Sequence, residues 1–295
     1  MVDFSVAINN FNYERFVVEA IESALAQTHP PFEIIVVDDG STDGSVDLIK
    51  RLYDQRVRLI QSENFGQMSA FRLAVRHARG DVVAFLDADD RWMPHHLATV
   101  AARMSAEPRP DFVIAAHKIF GNQVRIEPSD GKDVDFGYTT LAGLTGEWLG
   151  GPTSCLSVRR ELLAFIEDLA PKTIEEWRLR ADDVVIFGAG IAGARKYKLG
   201  QPSVEYRMHG KNGFQGRVRS AAEVAAHRQK VRCLNEELHR ICFPGLTPTD
   251  IIGFELKRNR LRKLRNKRNL IRATWGCTAR LLEKLGTTAA IVVAP

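Results

Sequence analysis

The chain has 295 residues, enough for one large domain and a smaller one. Its 45% hydrophobic and 26% charged residues are an ordinary globular balance, which excludes a disordered tail, a collagen-like repeat and a disulfide-dense miniprotein. The formal charge is +5, but nine Lys/Arg and no acid fall within residues 257–272 (KRNRLRKLRNKRNLIR), so the other 279 residues carry a net −4. The body is mildly acidic and the basicity is local.

The first 116 residues alternate strand and helix patterns. FSVAI (4–8) reads as a short apolar strand, and Phe16, Val17, Ala20, Ile21, Ala24 and Leu25 recur at helical spacing until His29-Pro30-Pro31 stops them. EIIVV (33–37) is a continuous apolar run of strand length, expected to be buried on both faces. A helix is predicted near 45–54, a strand at 57–61 and a helix at 68–79 ended by Gly80. VVAFL (82–86) repeats the buried-strand pattern, Pro94 opens a helix at 95–106, and DFVIAA (111–116) completes the series. Such alternation predicts an α/β fold with a doubly wound, mostly parallel sheet and helices on both faces. Ligands bind outside the carboxyl ends of such strands, so the residues just after each strand matter most.

Beyond residue 117 glycines recur and the pattern loosens, with a helix near 139–148, a strand at 153–158 and a helix at 159–169. Residues 220–240 and 250–285 read as helical, forming a C-terminal extension. Four cysteines, at 155, 233, 242 and 277, show no C-x-x-C pairing and read as reduced thiols. Met1-Val2-Asp3 opens no signal peptide, and no window approaches about 18 consecutive apolar residues, so a soluble or peripheral cytoplasmic chain is expected.

Two strand ends carry acids. VVDDGSTDGS (36–45) places Asp38 and Asp39 after a buried strand. A carboxylate there accepts from the N–H edge of a uracil ring, or else merely forms a turn and helix cap. FLDADDRWMP (85–94) sets Asp87, Asp89 and Asp90 within four residues. Three such carboxylates repel unless a cation neutralises them; hard oxygen ligands suit magnesium or manganese shared with substrate phosphates, and the alternative is a solvated acidic turn.

In order, these features resemble the family 2 glycosyltransferases of GT-A fold over about residues 3–215. Asn10-Phe11-Asn12 is similar to the family's S-Y-N, VVDDGSTDGS to its nucleotide signature, Asn64-Phe65-Gly66-Gln67 with Arg72 to its N-x-G turn and helix, and FLDADD to its metal-binding D-x-D. Pro152-Thr153-Ser154 with Arg159-Arg160 resembles the acceptor-side segment, Ala181-Asp182-Asp183-Val184 the acidic pair opening a helix, and VEYRMHG (204–210) the strand ending in Y-R-x-H. The sequence departs from the family pattern at Leu73, where Asn is usual, and at Asp182, where Glu is commoner.

The resemblance implies a metal-dependent, inverting transferase taking a nucleotide sugar, foremost a UDP-sugar, to a saccharide or lipid-linked acceptor in cell-envelope polysaccharide or glycoconjugate synthesis. It places the nucleotide at Asn9, Phe11, Asp39, Gln67, Arg72 and Asp87, and a manganese or magnesium ion at Asp89 and His209. Asp183 is implied as the catalytic base, with Asp182, Thr153 and Ser154 on the acceptor side. Residues 1–215 would form the GT-A domain, split into a nucleotide half (1–116) and an acceptor half (117–215), with 216–295 the basic helical extension. A non-catalytic scaffold of the same fold is the alternative.

VVIFGAGIAG (184–193) is a literal G-x-G-x-x-G, the dinucleotide-binding fingerprint. Too few residues follow it for a helix and return, and the family resemblance implies one helix over 182–192 instead. For 257–272, Phe254, Leu261, Leu264, Ile271 and Trp275 recur roughly at helical spacing among the cations. A helix lying on an anionic membrane and a solvated face packed on protein or a second copy both remain open, while nucleic acid lacks a recognition fold.

Overall fold

The computed structural model describes residues 2–52, 54–122, 125–126, 131–210, 220–247 and 249–252, with 284, 287–288 and 291. The basic stretch 257–272, Cys277 and most of the helix expected at 250–285 lie outside the described residues.

The apolar runs of the first half form the centre of the sheet. Strands β1 (Phe4–Asn10), β2 (Glu33–Asp39), β3 (Val57–Ser62) and β4 (Val82–Asp87) pair in parallel in the order β3-β2-β1-β4. All seven residues of β2 are buried, as a strand covered on both faces requires. Helices α1 (Val17–Leu25), α2 (Ser45–Arg51) and α3 (Gln67–His77) connect these strands. The two-residue β5 (Arg91–Trp92) and helix α4 (His96–Ser105) lead to β6 (Phe112–Gly121), edged by β7 (Arg125–Ile126).

After β8 (Val134–Tyr138), helix α5 (Thr140–Thr145) is shorter than the 139–148 expected. Gly146 ends it at φ 70°, where Glu147 N–H returns to the Ala142 carbonyl and Gly146 N–H to Gly143, a closure that favours glycine. The strand expected at 153–158 is also divided. Residues Thr153–Cys155 form one 3-10 turn and only β9 (Leu156–Arg159) is extended. It runs antiparallel between β4 and β6, through Val83↔Val158 and Ile114↔Leu156, so the sheet is not the uninterrupted parallel series its first 116 residues suggest.

Residues Arg160–Asp168 form 3-10 turns rather than the α-helix predicted at 159–169. With three residues per turn, Leu163 and Ile166 eclipse on the buried side. Helix α6 (Pro171–Glu176) precedes α7 (Ala181–Ile191), a single helix through the glycine-rich stretch. No strand-turn-helix exists there to take a dinucleotide. Gly188 is a packing residue: a Cβ on it would sit 2.0 Å from the Phe165 ring.

Strand β10 (Arg195–Met208) runs parallel to β6 and antiparallel to β8 and β5. Helix α8 (Ala221–Cys242) begins with a Ser220–Glu223 capping box and buries Val231, Leu234 and Leu238. Asn235 Nδ2 donates to the Gly143 carbonyl at 2.6 Å, and Glu237 accepts from Ala170 N at 2.7 Å and from the Thr173 hydroxyl. This helix is therefore docked on α5 and the start of α6. Among the described residues no helix is long and apolar enough to cross a membrane.

Candidate active site

Parallel register brings the carboxyl ends of β1, β2 and β4 together, with Asn10 opposite Asp38 and Asn9 opposite Asp87. Asp38 is spent on its own turn. Its carboxylate accepts from Asn10 Nδ2 at 2.7 Å and Ser41 N at 2.9 Å. Asn12, at φ 57°, closes the same corner by accepting from Thr42 N at 2.8 Å. Asp39 points to the other side, where both oxygens accept backbone N–H groups, from Phe65 at 2.9 Å and Gly66 at 2.8 Å. Burial keeps the Asp39 carboxyl above its usual range despite those donors. Asn9 Oδ1 is buried without a hydrogen-bond partner, while Phe11 and Phe65 expose their rings.

Gln67, the first residue of α3, bridges the halves: its Nε2 donates to Asp87 Oδ1 at 3.1 Å and its Oε1 accepts from Ala181 N at 3.2 Å. Arg72 does not join this group. One turn further along α3 it meets residues 160–168, where it contacts Glu167 at 3.4 Å.

Asp87, Asp89 and Asp90 form a compact triad, each offering a carboxylate oxygen within 4.8 Å of the others. Asp90 is braced on both oxygens, by Ser154 Oγ at 2.6 Å and Arg207 N at 2.7 Å. Ser154 Oγ also accepts from Asp87 N at 3.1 Å, and the Thr153 hydroxyl pulls against the rise of the Asp87 carboxyl. Thr153 and Ser154, expected on the acceptor side, thus sit beneath the acidic triad. Asp89 Oδ2 lies 2.9 Å from His209 Nε2, and the His209 ring is flanked by Tyr13 and Phe16 at 5.9 and 5.2 Å. Burial, then the charges of Asp89 and Asp182, push the Asp87 carboxyl up to about 8; burial, then Asp89 and Asp87, raise Asp90 well above its ordinary value. Three enclosed carboxylates with a histidine cannot all ionise without a counter-charge, and hard oxygen donors of this kind fit a divalent cation.

The acidic pair at the start of α7 splits in two directions. Asp182 faces the triad, and burial together with Asp183 pushes its carboxyl up to about 6 against the pull of Arg180. Asp183 is wholly buried. Its Oδ1 accepts from Trp148 Nε1 and Arg180 Nη2, both at 2.8 Å, while its Oδ2 has no hydrogen-bond partner. Trp148 is 46% exposed, so its indole roofs the carboxylate. Tyr13, Arg207, Trp148 and Arg180 were missed by sequence reasoning. Only Arg207 stood inside a quoted motif, and nothing local marks Trp148 as a neighbour of Asp183.

Residues 5–166 match the glycosyl transferase family 2 pattern. An uncharacterized glycosyltransferase of Nostoc sp. is 37% identical over 234 residues, 76% of this chain and 70% of that protein. The Escherichia coli UDP-Glc:alpha-D-GlcNAc-diphosphoundecaprenol beta-1,3-glucosyltransferase WfaP is 35% identical over 104 residues, 35% of this chain and 41% of WfaP. The putative teichuronic acid biosynthesis glycosyltransferase TuaG of Bacillus subtilis is 38% identical over 91 residues, 30% of this chain and 36% of TuaG. The match thus spans under half the length of those two relatives. The crystal structure of S. aureus TarS 1-349 in complex with UDP-GlcNAc superposes with a TM-score of 0.59 at 18% identity, covering 98% of this chain and 71% of that one. This likeness establishes the GT-A type of fold. The chain belongs to glycosyl transferase family 2 and is a glycosyltransferase related to enzymes of cell-envelope polysaccharide synthesis.

Proposed function

We propose that the enzyme transfers a sugar, with inversion, from a UDP-sugar to a hydroxyl of a saccharide or lipid-linked acceptor, in the presence of manganese or magnesium. The observation that carries this reading is the triad Asp87, Asp89 and Asp90 set beside the acidic pair of α7. Support for the donor comes from the name of WfaP, which specifies UDP-Glc, and from the TarS fold, which holds UDP-GlcNAc. WfaP is also named for a diphosphoundecaprenol acceptor, which supports the lipid-linked class.

In this reading Asn9, Phe11 and Asp39 receive the uracil and Gln67 and Asp87 the ribose-diphosphate portion. Asp39 keeps lone pairs beyond those used by Phe65 and Gly66, since two carboxylate oxygens offer about four acceptor sites. Asp89 and His209 would hold the divalent cation, which when bound supplies charge stabilisation to the departing diphosphate. Asp183 Oδ2, the oxygen left without a partner, takes the proton of the acceptor hydroxyl as that oxygen bonds the anomeric carbon. Trp148, bonded to the other oxygen of Asp183, borders the acceptor's approach, and Asp182 remains turned toward the triad.

The test is manganese-dependent UDP binding and turnover of UDP-glucose, UDP-galactose and UDP-GlcNAc by wild type and Asp183→Asn. Turnover should fall about 10²–10⁴-fold in the variant with UDP binding kept. Asp89→Asn should lose the manganese-dependent part of UDP binding. A wild type that neither binds UDP nor turns over any of the three sugars sinks the proposal. Retained turnover in Asp183→Asn with loss in Asp182→Asn moves the base to Asp182.

A further inference from the structure

The carboxylate of Asp183 has one oxygen engaged twice and one oxygen buried without a hydrogen bond. A buried acceptor left open has a desolvation cost, so its surroundings bear on what it does. The group facing it comes from outside the family match, which ends at residue 166. His227, on α8, places Nε2 3.9 Å from Asp183 Oδ2, and its side chain is 33% exposed where that of Asp183 is 0%. The imidazole therefore spans from the enclosed oxygen to solvent.

The helix that carries this histidine is held by several contacts. Its ring meets Trp177 edge-on at 6.0 Å, and Lys230, one turn further along α8, lies over the same indole at 4.2 Å while bonding the Glu176 carbonyl. Asn235 and Glu237 pin the next turns to Gly143, Ala170 and Thr173. To reach the hydrogen-bonding range of about 2.7–3.2 Å the two atoms, 3.9 Å apart, must close by about 1 Å.

We propose that His227 is a positioning residue for Asp183, holding Oδ2 ready and relieving it of its proton. This rests on Asp183 being the base. As the acceptor oxygen bonds the anomeric carbon and the bond from that carbon to the diphosphate breaks, the hydroxyl proton passes to Asp183 Oδ2. Neutral His227 then accepts it on Nε2, and the imidazolium loses a proton to water at its exposed edge. Asp183 returns to the carboxylate with its proton leaving through His227. Among the described residues the charged groups around the pair include Asp182 and Arg180 at the start of α7, Lys230 on α8 and Glu176 on α6. All of them persist in a His227 variant, so a change in pH dependence on substitution belongs to the imidazole.

The experiment uses the full chain with manganese, and hydrolysis of UDP-glucose, UDP-galactose or UDP-GlcNAc, so that water serves as acceptor. His227→Ala and His227→Gln should each lower kcat about 10- to 100-fold with the donor KM unchanged. The rise of kcat across pH 5–8 should be flattened, since an imidazole titrates near 6.5. Added imidazole should restore activity to His227→Ala and not to Asp183→Asn. UDP binding, followed by thermal stabilisation, should be the same in all variants, which separates this role from a folding defect. The inference is overturned if both His227 variants keep wild-type kcat throughout that pH range, or if their loss is accompanied by lost UDP binding and unmoved by imidazole. If Asp183→Asn stays active, the base assignment fails and this inference with it. If the wild type hydrolyses none of the three sugars, the proposed function itself fails.

Discussion

Lys196 carries its ammonium into the interior, where Nζ donates to the carbonyls of Ile186 at 2.6 Å and Leu149 at 3.3 Å and lies over the Phe112 ring. Burial pulls its pKa down to about 7. The unfolded chain keeps this amine protonated to about 10.4, so between those values it binds more protons than the folded chain and stability rises with pH. Compared with Lys196→Met, the wild type should gain up to about 1.4 kcal/mol of unfolding free energy per pH unit between pH 7 and 10. Urea denaturation at several pH values checks this, and parallel curves would refute it. At this scale the acids were legible in the sequence, because Asp87, Asp89 and Asp90 crowd one strand end. The engagement of Arg72 by Glu167 was not, since it depends on which face of α3 meets residues 160–168.

Between elements, α7 is the instructive case. Its glycines read locally as a nucleotide-binding loop, yet Gly188 and Gly190 lie inside the helix, where a glycine costs about 1 kcal/mol relative to alanine, and Gly193 follows its end at φ 99°. The compensation is close approach: Phe165 fills the space a Gly188 side chain would need. Gly188→Ala should therefore destabilise the fold by about 1–3 kcal/mol in spite of its better helix propensity. Shortening the opposing ring with Phe165→Leu should recover part of that loss in the double variant. Thermal unfolding of the two single variants and the double variant measures it, and additive effects would remove Phe165 as the reason for the glycine. Strand β9 teaches the same lesson, since nothing in LSVR says that it inserts antiparallel between β4 and β6.

For the whole molecule, the net charge separates into a mildly acidic body with the enzyme's site and a basic stretch at 257–272. With a lipid-linked acceptor, that stretch is proposed to dock the enzyme on an anionic membrane surface. Full-length protein should co-sediment with phosphatidylglycerol vesicles at low salt and release near 0.5 M salt, each cation near the surface contributing about 1 kcal/mol before screening. Replacing the nine Lys/Arg with Gln should abolish sedimentation and leave UDP binding intact. Vesicle binding unchanged by those substitutions would refute the docking role.

The amino-acid sequence by itself determined the α/β class, the order of the first strands and helices, and the acids at the ends of β2 and β4. Apolar runs and turn residues act over a few neighbours, so they are readable in a window. Tertiary structure alone decided which partners those acids meet. Trp148, Arg180 and His227 enclose Asp183, and Ser154 with Arg207 braces Asp90, through contacts between residues far apart in the chain. Such contacts arise from packing of whole elements, which sets the burial and charge each carboxylate experiences and so the chemistry it can perform.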